Sequence, residues 1–382
     1  MRARRLSRVR QSPVQSVLIV EPDWHGHRLA YVKYIASYAL AQGMDVSIAM
    51  GDGATDSPEF AVHLEALRGR VTLLSLGILP SQRGGRYNAW LVRQIRSLMS
   101  AEASNAVVVT EGDKALPRLG LARLSAPHRL RVIMMRAPRV RGAWRDARQA
   151  GKAVAAALCR IRGIAVLALC PATPVSAAYR LGVWPAVPDP VSTDPGADVF
   201  AQNLSKRLAP TRYWFGVFGH ITARKNVPLI LDALSSLDPA SVGLLIAGRV
   251  DERISSEIER ACAAFEAVGG AVELLGGTLS DAALDGAIVA VGAAVVAHHA
   301  EGPSGILGKA AAVGTWVVAS GAGSLRSDVE RLEWGSWSPL DREALAANMA
   351  LAQASTPRRR PRALAGPGEF AAVLFDTHRS GK

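Results

Sequence analysis

Short runs of β-branched and aliphatic residues recur along the chain, each followed by a loop and then by apolar residues at helical spacing. Residues 14–20 form the first such run. After Glu21-Pro-Asp-Trp-His-Gly-His27, the positions Leu29, Val32, Ile35, Ala36, Ala39 and Leu40 share one face of a predicted helix. Gly43 suits its end, and residues 46–50 read as the next strand. Further strands are predicted at 71–76, 106–110, 131–135 and 164–169, with helices at 87–102 and 144–159. The proline-dense run 185–195 breaks the pattern and reads as a linker. A second series follows, with strands at 214–218, 242–247, 272–275, 293–297 and 316–319. Its helices are predicted at 227–237, 255–268, 281–289 and 304–313. Strict alternation of strand and helix requires parallel sheets, with ligands where strand C-termini open into loops. The expected fold is α/β, with two Rossmann-like domains at 13–190 and 211–340 facing across a cleft. Residues 341–382 are expected to form helices that return toward the first domain, among them an amphipathic piece at 369–378.

The 382 residues, 49% of them hydrophobic, suffice for two cores. Cys159, Cys170 and Cys262 are odd in number and form no Cys-x-x-Cys pair. That pattern argues against a disulfide framework or thiolate zinc site and fits a reducing compartment. The apolar run that begins at Ser16 stops at Glu21 and Asp23, too soon for a signal peptide. The greasy stretch 153–178 is broken by Arg160 and Arg162 and reads as helix, turn and buried strand, not as a membrane span. A cytoplasmic location is expected.

The net charge of +13 is unevenly placed. Between Lys114 and Lys152 stand eleven basic residues and one acid, Asp146, and four more arginines lie between Arg83 and Arg96. Such a stretch suits an acidic partner in the first half, or is simply an arginine-rich solvated surface. Peripheral contact with an anionic membrane is one expectation. Nucleic acid is not expected, because no RNP-type aromatic motif or basic recognition helix accompanies the charge. The helix at 87–102 carries Trp90, Leu91, Ile95 and Leu98 beside Arg93 and Arg96, which fits either a packed helix or an interfacial one.

Five of the eight histidines, His25, His27, His220, His298 and His299, follow predicted strands. No His-x-x-x-His pair or acidic cluster gives them metal-ligand spacing. The loop Gly219-His-Ile-Thr-Ala-Arg-Lys225-Asn226 places Arg224, Lys225 and free amides before a helix, a natural phosphate site. In His299-Ala-Glu-Gly-Pro-Ser-Gly-Ile-Leu-Gly308, Gly302 and Gly305 permit close backbone approach, Ser304 can cap a helix, and Glu301 can hold sugar hydroxyls. The first loop has the single glycine Gly26, which does not meet the Gly-x-Gly-x-x-Gly requirement of a nicotinamide site.

With these motifs the chain resembles the GT-B glycosyltransferases, in particular the retaining family 4-like group. The likeness in layout spans most of residues 14–340, and its specific motifs lie mainly in 213–330. Trp24-His25-Gly26-His27 stands where that family has a glycine loop against the donor. Lys225 matches the lysine that holds the donor diphosphate, and Glu301 matches the first acid of the Glu-x7-Glu motif. Three positions depart from the pattern. Lys309 replaces the second acid, His220 replaces the basic residue of the phosphate loop, and Arg136 replaces a first-half histidine. The resemblance implies catalytic roles for Lys225, Glu301 and His220. It implies substrate contacts from His25, Gly26, His27, Arg136, Arg224, His299, Gly302, Ser304, Gly305 and Lys309. The donor would be a nucleoside-diphosphate sugar, with no metal and no cofactor. The acceptor, acidic or lipid-linked, would bind the first half. The departures also fit a non-catalytic GT-B-like protein that binds a ligand or partner through the same cleft.

Overall fold

The computed structural model describes residues 14–25, 28–80, 85–102, 104–137, 147–173, 180–181, 183–355 and 360–376. The first half contains β1 (Ser16–Glu21), α1 (Arg28–Ala41), β2 (Asp45–Met50), α2 (Pro58–His63), β3 (Thr72–Ser75) and α3 (Gly85–Ala101). It continues with β4 (Ala106–Val109), α4 (Gly112–Leu119), β5 (Leu130–Met134), α5 (Ala147–Ile161), β6 (Ala165–Cys170), β7 (Arg180–Leu181) and β8 (Trp184–Pro188). The second half contains α6 (Ala197–Ser205), β9 (Tyr213–Phe218), α7 (Val227–Leu234), β10 (Val242–Gly248), α8 (Ser255–Ala267), β11 (Ala271–Gly276) and α9 (Asp281–Ala290). Then come β12 (Ala293–His298), α10 (Gly305–Val313), β13 (Trp316–Gly321), α11 (Gly323–Leu332), β14 (Ser336–Ser338), α12 (Arg342–Ser355) and α13 (Pro367–Phe375).

The strands form two sheets, ordered β3-β2-β1-β4-β5-β6-β8-β7 and β11-β10-β9-β12-β13-β14. All pairings are parallel except the short β7–β8 pair. Both sheets reverse their winding beside the first strand, between β1 and β4 and between β9 and β12. In such sheets the crevice at that reversal is the ligand position. Central strands are apolar on both faces, as strands covered on both sides must be. In β1, for example, Leu18 and Val20 pack on one side while Val17 and Ile19 pack on the other. The second sheet likewise separates two apolar clusters, one containing Phe218 and Leu245, the other Phe215 and Leu244.

The 185–195 run is not simply a linker. Residues 184–188 form β8, which pairs with β6 through Ala186, Val187 and Pro188. Its prolines are tolerated because only the two residues of β7 lie beyond it, so few ladder hydrogen bonds are needed on that side. The chain then crosses to the second half, where Val191 N donates to Ala365 O at 3.0 Å. Helix α6 packs on α9 of the second sheet. Helix α13 packs on α1, with Tyr31 against Phe370 and Tyr38 against Phe375 at ring separations of 5.6 and 5.8 Å. The halves also meet through Lys33–Asp281 at 3.4 Å and Glu59–Arg249 at 3.5 Å.

Of the two readings of α3, the packed one holds. Leu91 and Ile95 are fully buried, and Trp90 and Leu98 pack against the same core. Among the described residues no helix is long and apolar enough to cross a membrane.

Candidate active site

The loop after β9 is shaped by one close approach. At the end of β10, Gly248 has φ 140°, and a Cβ there would lie 1.9 Å from Gly219 O. The ladder continues past both strand ends, since Ile221 N donates to Arg249 O at 2.8 Å and Asp251 N to Ile221 O at 2.9 Å. Asn226 sits in the left-handed region at φ 51° and makes no side-chain cap for α7. Its Nδ2 donates instead to Arg224 O at 3.0 Å and Ala297 O at 2.8 Å, fastening the loop to β12. Gly248→Ala is expected to lower stability by at least about 2 kcal/mol, read as an earlier urea midpoint, because both the clash and the dihedral oppose a side chain.

This loop presents Arg224, exposed, and Lys225, half-buried. Burial pushes the Lys225 ammonium down to about 8, and the neighbouring Arg224 adds like-charge repulsion. Partial burial, and after it the charge of Arg136 in the first half, lower the Arg224 guanidinium as well. A Cβ built on Gly302 would lie 3.8 Å from Arg136 Cγ. The Arg136 loop is held from behind: Lys152 donates to Arg136 O and pairs with Asp113, whose Oδ2 accepts Met135 N at 3.0 Å. Among the described residues, no carboxylate pairs with Arg136, Arg224 or Lys225.

His298, at the end of β12, is buried, and its Nδ1 has no partner among the described residues. Burial, then Arg224 and Lys225, push its pKa down to about 4, so it is neutral at pH 7. His299 and His220 are exposed; burial and Arg249 lower the His220 imidazole. Glu301 accepts from Gly323 N at 3.2 Å and Ser324 N at 2.8 Å, the first amides of α11. Gly302 N donates to Ser324 Oγ at 3.2 Å, and Ser304 Oγ caps α10 by accepting Leu307 N at 3.4 Å, with Gly305 as the first helical residue. The Lys309 ammonium is engaged by neighbouring groups of the chain itself. It lies 2.6 Å from Asp285 Oδ1 and donates to Ser192 O at 2.9 Å, while Asp285 Oδ2 accepts Asp194 N at 2.9 Å. Lys309 thereby ties the crossing segment to α9.

On the first-half rim a charge cluster emerges that the sequence motifs did not single out. Glu21, Asp23 and Glu111 are all buried. Arg28 links them, with Nη1 2.8 Å from Glu111 and 3.5 Å from Glu21, and Nε 3.6 Å from Asp23. Lys114 and Tyr87 also reach Glu111, and Thr110 donates to Glu21 at 2.6 Å. Burial raises the Glu21 carboxyl to about 7, with Arg28 opposing and Glu111 reinforcing the rise. The legible signal was position: Glu21 ends β1 and Glu111 follows β4, the two strands flanking the winding reversal. His25 pairs with Asp23 on this rim. Gly26 and His27 lie outside the described residues.

Among the described residues no three His, Cys, Asp or Glu side chains group so as to hold a metal ion. No family model and no curated protein matches the sequence. Solved structures do match over nearly the whole chain. Anabaena Alr3699/HepE in complex with UDP shares 16% identity at TM-score 0.63, covering 94% of each chain. The sucrose-phosphate synthase of Thermosynechococcus elongatus shares 16% at 0.62, again over 94% of each. WaaG, a glycosyltransferase involved in lipopolysaccharide biosynthesis, shares 14% at 0.60 over 94% of each. These likenesses, with the two parallel sheets and their matching winding, establish that the chain has the GT-B fold.

Proposed function

We propose that the chain is a glycosyltransferase that moves a hexose-type sugar from a nucleoside-diphosphate sugar to an acidic or lipid-linked acceptor, without a metal. The observation that carries this reading is the cation cluster at the winding reversal. Lys225 is desolvated beside Arg224, Arg136 faces them from the other half, and no carboxylate neutralises them among the described residues. Three such charges held together are an anion site, and a diphosphate supplies the missing negative charge. As the sugar leaves, negative charge grows on the diphosphate, and pre-placed cations stabilise it in the transition state, the role a metal ion has elsewhere. Glu301, held by the α11 amides, is placed to orient sugar hydroxyls, with His299, Gly302, Ser304 and Gly305 around it and His220 at the phosphate loop. The UDP and UDP-glucose complexes of Alr3699/HepE support a uridine donor. The test is release of nucleoside diphosphate from UDP-, GDP-, ADP- and TDP-sugars in the presence of lipid and oligosaccharide extracts, with and without EDTA. Release from one donor, unchanged by EDTA, is expected; dependence on an added divalent ion would remove the metal-independent mechanism.

The acceptor side is supported by the outer face of α3, α4 and α5. Exposed Leu121, Val154, Leu158 and Ile161 stand there among exposed Arg93, Arg96, Arg118, Arg123, Arg160 and Arg162. Apolar groups ringed by arginine suit an anionic bilayer, each cation contributing about 1 kcal/mol near the surface. Sedimentation with liposomes containing anionic lipid, lost in high salt, is expected; equal sedimentation with neutral liposomes would count against it.

One observation favours a second reading, a non-catalytic binder. Lys309 leaves no acid at the second motif position, and its charge is taken up by Asp285. That reading predicts nucleotide binding without turnover.

A further inference from the structure

Arg249 follows the last residue of β10 and stands beside the 219–226 loop. Gly248 and Gly219 approach so closely that a Cβ on Gly248 would meet Gly219 O at 1.9 Å. Arg249 O accepts Ile221 N at 2.8 Å, and Asp251 N donates to Ile221 O at 2.9 Å. The Arg249 backbone is thus laddered onto the loop that carries Arg224 and Lys225. Its guanidinium reaches the first half instead, where Nη1 lies 3.5 Å from Glu59 Oε1 of α2. The Glu59 side chain is 7% exposed and that of Arg249 42% exposed. Asp251, the acid two residues on, is taken by Arg253, accepting its N at 3.1 Å and lying 3.3 Å from its Nε.

The contact is loose for a charge pair. A guanidinium–carboxylate hydrogen bond is about 2.8 Å long. At 3.5 Å, with the cation partly in solvent, the pair is held by charge alone and is easily exchanged. His220 gives a second sign. It sits between Gly219 and Ile221, the two residues that touch Gly248 and Arg249. Burial and then the charge of Arg249 hold its imidazole low, with Glu59 and Asp251 acting in the opposite sense. The third basic side chain of the loop is therefore neutral at pH 7, and the fixed charge beside it is that of Arg249. β9 and β10 are neighbours in the sheet, so Arg249 lies about one strand spacing, about 5 Å, from the strand that leads into the loop.

We propose that Arg249 is a further cation of the donor-phosphate site, held by Glu59 until the diphosphate arrives, and that donor binding opens the Glu59–Arg249 pair. This rests on the donor reading above. A diphosphate carries more charge than one carboxylate and accepts a guanidinium bidentately, so it outcompetes a partner held at 3.5 Å. Glu59 belongs to the first half and Arg249 to the second, so the exchange also removes one of the contacts that join the halves. Glu59 and the donor thereby compete for one side chain, and by linkage each weakens the hold of the other. The second inter-half pair, Lys33–Asp281 at 3.4 Å, joins α1 to α9 and involves no residue of the loop or of β10.

The test is calorimetric titration of UDP into the full chain at pH 7, in wild type, Arg249→Gln, Glu59→Gln, the double variant, Lys33→Gln and Lys225→Met. Arg249→Gln should weaken UDP binding about tenfold. Glu59→Gln frees Arg249 and should tighten binding about two- to fivefold. In the double variant that gain should vanish, leaving affinity within about twofold of Arg249→Gln. Lys33→Gln breaks the other inter-half pair and should leave affinity within about twofold of wild type, which separates capture of Arg249 from a general loosening of the halves. Should Arg249→Gln fail to fold, Glu59→Gln decides alone, because a purely structural pair predicts no tightening. Equal binding by wild type and Arg249→Gln, no tightening in Glu59→Gln, or equal tightening in Glu59→Gln and Lys33→Gln overturns the proposal, while weaker binding by Lys225→Met leaves the donor site standing. No UDP binding by wild type overturns the uridine-donor reading and this inference with it.

Discussion

Replacing Lys225 with methionine is expected to stabilise the unliganded protein while abolishing its response to nucleotide. The ammonium has a pKa of about 8 in the fold, below the usual lysine range, because burial and Arg224 disfavour its charge. A depressed lysine pKa means that the folded state opposes the proton that the unfolded chain accepts. The penalty is fully present below pH 8 and fades as pH rises toward the unfolded value near 10.5. The methionine variant removes it, so at pH 7 its unfolding free energy should exceed wild type by up to about 3 kcal/mol, with most of the gap gone by about pH 10. Added UDP should reverse the order, raising the melting temperature of wild type only. Turnover should fall at least about 100-fold, the scale on which removal of one transition-state charge partner acts. In wild type, UDP affinity should weaken as pH rises past 8, because binding must restore the proton. A variant less stable than wild type at pH 7 and still responsive to UDP would contradict the assignment.

Lys309→Glu would supply the acid that the sequence resemblance leads one to expect there, and is nonetheless expected to destabilise the protein by about 3–5 kcal/mol. The substitution removes the counter-ion of a buried carboxylate, Asp285, and places a second negative charge beside it. It also removes the hydrogen bond to Ser192 O that fastens the crossing segment. Lys309→Met should be less damaging, and the double variant Lys309→Met with Asp285→Asn should recover much of the loss, since no unpaired charge remains. Urea unfolding of the four proteins measures this. A neutral Lys309→Glu would show that the pair does not fasten the crossing segment to α9.

The repeating strand–loop–helix order made both sheets readable from the sequence, because parallel strands buried on both faces are continuous apolar runs. What escaped was short or masked by composition. β8 was hidden by Pro185 and Pro188, which read as loop until an edge position makes them tolerable. α4 carries Pro117 internally, and α11 follows a glycine loop that masks its start. At the candidate site, the loop at 219–226 stood out because lysine is rare in this chain and Lys225 precedes a helix. The charge cluster around Arg28 was not, since Glu21, Asp23 and Glu111 meet only when β1 and β4 pair. Nor could spacing reveal that the charge of Lys309 is taken up by Asp285, a residue on another helix.

Calorimetric titration of UDP, GDP, ADP and TDP into the full chain at pH 7, beside Lys225→Met, tests the cation cluster most directly. One nucleoside diphosphate bound per chain, with affinity falling at least about tenfold in the variant, is the expected result. Binding of none of them, or equal binding by both proteins, would contradict the assignment of this cleft to a nucleoside-diphosphate sugar.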